Sequence, residues 1–116
     1  MATHNRSARI AHQIQKEVSE LLLRRVKDPR VKFVTITRVS VSPDLSFARL
    51  YFSAPANDER SKEELEKGLS SAKGYIRSEL GKRLLMRRVP QIEFVFDSQY
   101  EAALRVSDEI AKMDNE

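Results

Sequence analysis

The chain contains no cysteine and no tryptophan, and only three glycines, four prolines and two histidines among its 116 residues. Without cysteine, disulfides and thiolate metal sites are excluded and a secreted, bridge-dependent fold has no support, so a cytoplasmic location is expected. No apolar run approaches the ~20 residues that a membrane helix needs. The opening Met1-Ala2-Thr3-His4-Asn5-Arg6 lacks the hydrophobic stretch of a signal peptide, so the expectation is a soluble protein with no membrane partner. His4 and His12 are the only imidazoles; eight residues apart on a helix they are separated by ~12 Å, too far to share one metal ion, and both read as solvent-facing. There is no glycine loop to cradle phosphate, no paired-histidine zinc motif and no nucleophile with a base nearby in sequence. The sequence therefore predicts no catalytic residue, no metal site and no cofactor. It also lacks an internal repeat, linker or low-complexity tract that would divide it.

What remains is a chain of the modal size for one compact domain, 41% hydrophobic, expected to form a single unit over residues 1–116. Its net charge of +4 is modest but unevenly placed. Between residues 73 and 88, Lys73, Arg77, Lys82, Arg83, Arg87 and Arg88 face the single acid Glu79. In the first thirty residues Arg6, Arg9, Lys16, Arg24, Arg25, Lys27 and Arg30 outnumber Glu17, Glu20 and Asp28. From Glu93 onward the balance reverses, with Glu93, Asp97, Glu101, Asp108, Glu109, Asp114 and Glu116 against Arg105 and Lys112. A basic face opposite an acidic one suits a partner rich in phosphate, because neutralising phosphates releases their counterions; a merely solvated surface is the plainer alternative.

Periodicity orders the elements. Ala11, Ile14, Val18, Leu21 and Leu22 form a helical stripe between about Ser7 and Val26, with Asn5 or Ser7 available as a cap, and Asp28-Pro29 ends it. Val31 to Val41 is rich in β-branched residues and predicts a strand; Val34 and Ile36 share one parity and Val39 and Val41 the other, which points to a bulge or to two-sided burial. Ser42-Pro43-Asp44 makes a turn, with Asp28 and Asp44 expected to hydrogen-bond nearby backbone. Leu45 to Ala54 completes a hairpin, with Phe47 and Tyr51 on one face, Ala48, Leu50 and Phe52 on the other, and both Tyr51 and Phe52 read as core aromatics. After the polar loop around residues 55–58, Ser61 is placed as an N-cap with Glu63 and Glu64 in the first turn. Leu65, Leu69, Ala72, Ile76, Leu80 and Leu84 then trace a buried helical face ending before Pro90. Ile92, Phe94 and Phe96 mark a third strand, and Tyr100, Ala103, Leu104, Val106, Ile110 and Met113 fit a C-terminal helix whose last residues fray. This is an α+β order, with a three-stranded sheet covered by helices on one face.

Gly74 interrupts the second helical pattern. It costs ~1 kcal/mol relative to alanine inside a helix, so either one long helix tolerates it or Ala72-Lys73-Gly74 is a joint between two helices. At ~100° per residue, Arg77 and Arg88 would share one edge after such a joint, with Gly81 between them where a backbone could approach. That edge is the best candidate for phosphate contacts: arginine grips phosphate through a planar fork, whereas Lys73 and Lys82 act as point charges. N–H groups freed at the joint would add partial positive charge. For Arg87 and Arg88, the favourable placement of cations at a helix C-terminus is the competing explanation.

Lys27-Asp28-Pro29-Arg30, Phe33-Val34-Thr35-Ile36-Thr37, Val41-Ser42-Pro43-Asp44-Leu45 and Ala48 with Tyr51-Phe52-Ser53 resemble the first half of the ribosome-binding factor A family. Ala72-Lys73-Gly74 followed by Ile76-Arg77-Ser78-Glu79-Leu80-Gly81 is similar to its helix-kink-helix signature, and Pro90 through Asp97 resembles its last strand. Lys32 and Ala103 depart from it, standing where a glycine is expected. The resemblance covers residues 6 to about 97, with 98–113 as a helical tail. It implies a type II KH-like fold of order α-β-β-α-kink-α-β, in which the Ala72-Lys73-Gly74 kink replaces a Gly-x-x-Gly loop. It further implies a monomeric, non-enzymatic assembly factor that binds 16S rRNA on the free 30S subunit, not the 70S ribosome, promotes late 16S rRNA processing and serves in cold adaptation. The RNA-binding residues expected are Lys73, Gly74, Arg77, Lys82, Arg83, Arg87 and Arg88, with Arg6, Arg9 and Lys16 on the first helix. A protein-interaction module on the same frame, using a helical face or strand edge, is the alternative of a different class.

Overall fold

In a computed structural model, which describes residues 2–55 and 59–114, the chain forms α1 (Ala2–Arg24), a single 3-10 turn (Pro29–Val31), β1 (Thr35–Val41), β2 (Phe47–Ser53), α2 (Glu59–Arg83), β3 (Gln91–Phe96) and α3 (Ser98–Asp114). The loop expected at residues 56–58, the side chains of His4 and Asn5, and the Met113 contribution to the last stripe lie outside the described residues.

The sheet runs in the order β1-β2-β3, with β1 antiparallel to β2 and β3 parallel to β2, so α2 is the crossover that returns the chain alongside β2. One face carries the core. Ile14, Val18, Leu21 and Leu22 of α1 and Leu65, Leu69, Ala72, Ile76 and Leu80 of α2 close over Ile36, Ala48, Leu50, Phe52 and Ile92. The helical stripes read from the sequence are these faces. Phe52 is wholly enclosed and meets Phe96 edge-on, with ring centroids 5.9 Å apart. The opposite sheet face is open, and there Tyr51 is half-exposed beneath the Arg38 guanidinium, 3.7 Å from its ring centroid. Tyr51 is thus not a core aromatic: strand alternation sends it to the face that no helix covers.

Four local expectations are corrected by packing. The strand expected from Val31 begins only at Thr35: residues 29–31 form a turn, which Asp28 caps by accepting the Arg30 N–H at 2.9 Å, and Val31 drops into the core. The parity change does mark a bulge: the register slips between Ile36 and Arg38, and Gln15 Nε2 donates to the Ile36 and Thr37 carbonyls at 3.2 and 3.3 Å. Ser7 and Asn5 lie within α1, not at its start, and Ser7 is buried. Ser61 stands in the first turn of α2, which is already helical at Glu59.

The fourth correction concerns the joint. α2 runs as one helix from Glu59 to Arg83, straight through Ala72, Lys73 and Gly74, so no second helix starts there and no N–H groups are freed. Gly74 has no positive φ, and a Cβ on it would meet nothing within 4 Å. The buried stripe from Leu69 through Ala72 to Ile76 continues across the glycine and holds the helical geometry. The glycine with a packing duty is Gly68. A Cβ there would lie 2.9 Å from both Arg30 Cβ and Val31 Cγ1, so its absence lets the 3-10 turn seat against α2.

A candidate nucleic-acid interface at the end of the second helix

Beyond Arg83 the chain reverses through a left-handed residue. The Leu84 N–H donates to the Leu80 carbonyl at 2.9 Å, Leu85 has φ 51, and the Met86 N–H reaches back to the Gly81 carbonyl at 3.2 Å. This closes the last helical carbonyls as a glycine C-cap ordinarily would. Gly81 lies under the returning loop, where a Cβ would stand 3.0 Å from Val89 Cγ2, so the group that approaches it is a side chain of this chain. Arg77 fixes the loop from the helix side, its Nε donating to the Pro90 carbonyl and its Nη2 to the Val89 carbonyl, each at 3.0 Å.

The hairpin turn faces this loop. The Asp44 carboxylate accepts the Ser42 and Ser46 hydroxyls, each at 2.8 Å, and the Ser46 N–H at 3.1 Å. Those bonds, the Ser46 hydroxyl first, hold its pKa below the usual carboxylate range. Leu45 takes the left-handed position, with φ 62. The Gln91 N–H donates to the Ser46 carbonyl at 3.0 Å, tying the turn to the start of β3. Between turn and loop opens a groove of about 1260 Å³, where Arg6 of α1, Arg77, Arg87, Arg88, Leu45 and Leu85 converge.

The basic residues singled out in the sequence thus divide by what they touch. Arg6, Arg77, Arg87 and Arg88 share the groove, but Arg88 reaches it from the loop and not from a continued helix edge. Arg77 is half-buried and engaged with backbone carbonyls. Arg83 turns toward α1, donating to Glu17 Oε2 at 2.8 Å and lying 3.4 Å from Glu20 Oε1. Lys82 lies 3.9 Å from Glu79. Arg6, Arg9, Lys16, Lys73, Arg87 and Arg88 form no ion pair among the described residues. Arg9 and Lys16, two helical turns apart, are exposed on α1, and Gly74 presents bare backbone on α2 one turn before Ser78.

Two groove residues escaped the sequence reading. Leu45 and Leu85 are the only non-glycine residues with positive φ among those described, and both line this groove. Nothing in a leucine signals a left-handed backbone. Leu84-Leu85-Met86 reads as continued helix, and Leu45 as the first residue of a strand. Elsewhere, an apolar groove of about 500 Å³ lies between the end of α1 and the 3-10 turn, with exposed Leu23 and Phe33. No cluster of metal-ligating side chains occurs among the described residues, and none of their helices is long and apolar enough to cross a membrane.

The α-β-β-α-β unit with its mixed sheet is similar to those of known proteins. The crystal structure of ribosome-binding factor A from Thermus thermophilus superimposes with a TM-score of 0.68 and 28% identity, over 78% of this chain and 93% of that one. Coordinates of the Thermus thermophilus factor fitted into a cryo-electron microscopy map of a 30S–factor complex give a TM-score of 0.62 at 28% identity, over 76% and 91%. A ribosome-binding factor A of Methylobacillus flagellatus is 46% identical over 104 residues, covering 89% of this chain and 80% of that protein. The sequence profile of the family matches residues 6–110, so the α+β, KH-like element order rests on common descent as well as on geometry, and the chain belongs to the ribosome-binding factor A family.

Proposed function

We propose that this protein binds the small ribosomal subunit by laying the groove between the 42–46 turn and the 84–90 loop, with the adjacent face of α1, on 16S rRNA. The observation that carries the reading is the convergence of Arg6, Arg87 and Arg88, none of them in an ion pair among the described residues, on one groove whose acid, Asp44, is already bonded to Ser42 and Ser46. Unpaired guanidiniums on a fixed loop suit phosphate, because no internal ion pair has to break before the contact forms. Arg9, Lys16, Lys73 and Lys82 extend the basic surface as point contacts, whereas Arg77 and Arg83 act by holding loop and helix in place. Gly74 leaves bare helix backbone for close approach. The absence of a helix break at Gly74 removes the loop that would clamp a short single strand, which favours a folded RNA site read by shape and phosphate.

Within this reading the protein is a cytoplasmic, monomeric assembly factor without enzymatic activity. It acts on the free 30S subunit, not the 70S ribosome, promotes late 16S rRNA processing and serves in cold adaptation. Cross-linking to purified small subunits followed by sequencing tests partner, site and protein face together. Cross-links from the 84–90 loop and α1 to 16S rRNA are expected; cross-links solely from the acidic α3 would contradict the assignment. The alternative, a protein-docking module, draws on the apolar groove beside Leu23 and Phe33 and on the half-exposed Leu104, Val106 and Ile110 of α3. It predicts co-sedimentation with RNA-free ribosomal proteins and none with naked 16S rRNA.

A further inference from the structure

Leu85 is 91% exposed and has φ 51, so it combines two unfavourable features at one position. A left-handed backbone disfavours a side chain with a Cβ, and water disfavours an isobutyl group; glycine would meet the helix-ending geometry without either penalty. Folding therefore gives no reason for a leucine there. The loop that presents it is held on both sides, by Met86 N–H to the Gly81 carbonyl and by Arg77 to the Val89 and Pro90 carbonyls. The side chain is thus displayed on a fixed frame. Arg87 and Arg88 follow it in the loop and line the same groove with Arg6, so the apolar tip shares the groove with three arginines. A second left-handed leucine, Leu45, faces the groove from the hairpin turn. The turn needs the left-handed backbone but not the leucine side chain, and strain kept where glycine would relieve it gathers where a ligand is met.

We infer that Leu85 is an apolar wedge that packs on an unstacked base, or between two base steps, of the RNA gripped by Arg87 and Arg88. The inference rests on the RNA reading above and sharpens it. Phosphates satisfy the arginines, and the apolar face of a base at a bulge or helix junction covers the leucine, a combination that protein wedges in nucleic-acid grooves use elsewhere. An acidic protein surface would satisfy the arginines but leave the leucine needing its own apolar pocket. A regular A-form helix offers phosphates but no exposed base face in reach. The contact therefore selects irregular RNA, in which one position is already unstacked.

The test compares the full chain with Leu85→Gly, which keeps the left-handed turn, and with Arg87→Ala/Arg88→Ala, using small subunits and 16S rRNA. Leu85→Gly should unfold at no lower denaturant concentration than wild type. It should bind about tenfold more weakly, equivalent to ~1.4 kcal/mol, with an unchanged dependence on salt, because an apolar contact displaces no counterions. The double arginine variant should flatten the salt dependence. Chemical probing should find one or two bases whose reactivity changes with wild type and not with Leu85→Gly. If Leu85→Gly binds like wild type with the same footprint while the arginine variant is weakened, the wedge is overturned and the RNA reading stands. If wild type does not bind RNA and Leu85→Gly instead loses binding to RNA-free ribosomal proteins, both fall and the loop is a protein anchor.

Discussion

Among single residues, the three glycines show how identical chemistry serves different ends. Gly68 is required by packing, since a Cβ would press on Arg30 and Val31 at 2.9 Å, and both neighbours are held by the Asp28-capped turn. Gly68→Ala is expected to destabilise the protein by about 1–3 kcal/mol, as overpacking does. Gly74 has open space around it, so Gly74→Ala is expected to stabilise by about 0.5–1 kcal/mol, the helix-propensity difference alone. Urea titration of both variants checks the pair, and a destabilising Gly74→Ala would show that a bend at this point matters to the fold. The sequence drew attention to Gly74 because it interrupts an amphipathic run. Gly68 lies in the same run and is the residue that packing needs, a distinction that appears only when a distant turn is brought against the helix.

At the scale of elements, the junction of β3 and α3 depends on Asp97. Its Oδ1 accepts the Tyr100 N–H at 3.1 Å as the cap of α3, while Oδ2 accepts the Thr37 hydroxyl at 2.5 Å and lies 3.3 Å from Arg38 Nε. The Asp97 N–H donates to the Phe52 carbonyl at 2.8 Å, so one residue binds the bulge, the central strand and the last helix. The Thr37 hydroxyl first, then the Tyr100 N–H and Arg38, hold its pKa below the usual range despite the opposing effect of burial. The folded carboxyl is the stronger acid, so its contribution to stability is fully present above the unfolded value near ~4 and is lost as pH falls through the folded value. Asp97→Ala should lower stability by about 1–3 kcal/mol at neutral pH and make the acid limb of the stability curve shallower, as followed by circular dichroism against urea at several pH values. An unchanged acid limb would assign acid lability elsewhere. The elements themselves were largely legible. The stripes Ile14–Val18–Leu21 and Leu65–Leu69–Ala72–Ile76–Leu80 are buried where their spacing put them, and the parity change in β1 is a bulge. The α2 joint and the start of β1 differ from the sequence reading because each is decided by core packing, of Leu69, Ala72 and Ile76 across Gly74 and of Val31 beneath the helices, whereas Ser61 is no cap simply because α2 already begins at Glu59.

For the whole molecule, charge has been sorted by structure in a way composition could not show. The sequence singled out the edge of Arg77 and Arg88 among the six cations between residues 73 and 88. Folding engages Arg77 with loop carbonyls and Arg83 with Glu17 and Glu20, while Arg87 and Arg88 line the groove without an ion pair among the described residues. Arg83→Ala and Arg77→Ala should therefore lower the unfolding midpoint while changing the salt dependence of binding little, and Arg87→Ala or Arg88→Ala should do the reverse. The acidic α3 leaves Tyr100, Leu104, Val106 and Ile110 at least two-fifths exposed, and none of the four lines the basic groove. The measurement that bears most directly on the central claim is the binding constant of the full chain for small subunits across a range of salt concentrations. A linear fall of log K with log salt is predicted, with the slope flattened by about one unit in Arg87→Ala and in Arg88→Ala. Binding that is insensitive to salt, or a slope that neither substitution changes, would contradict the account.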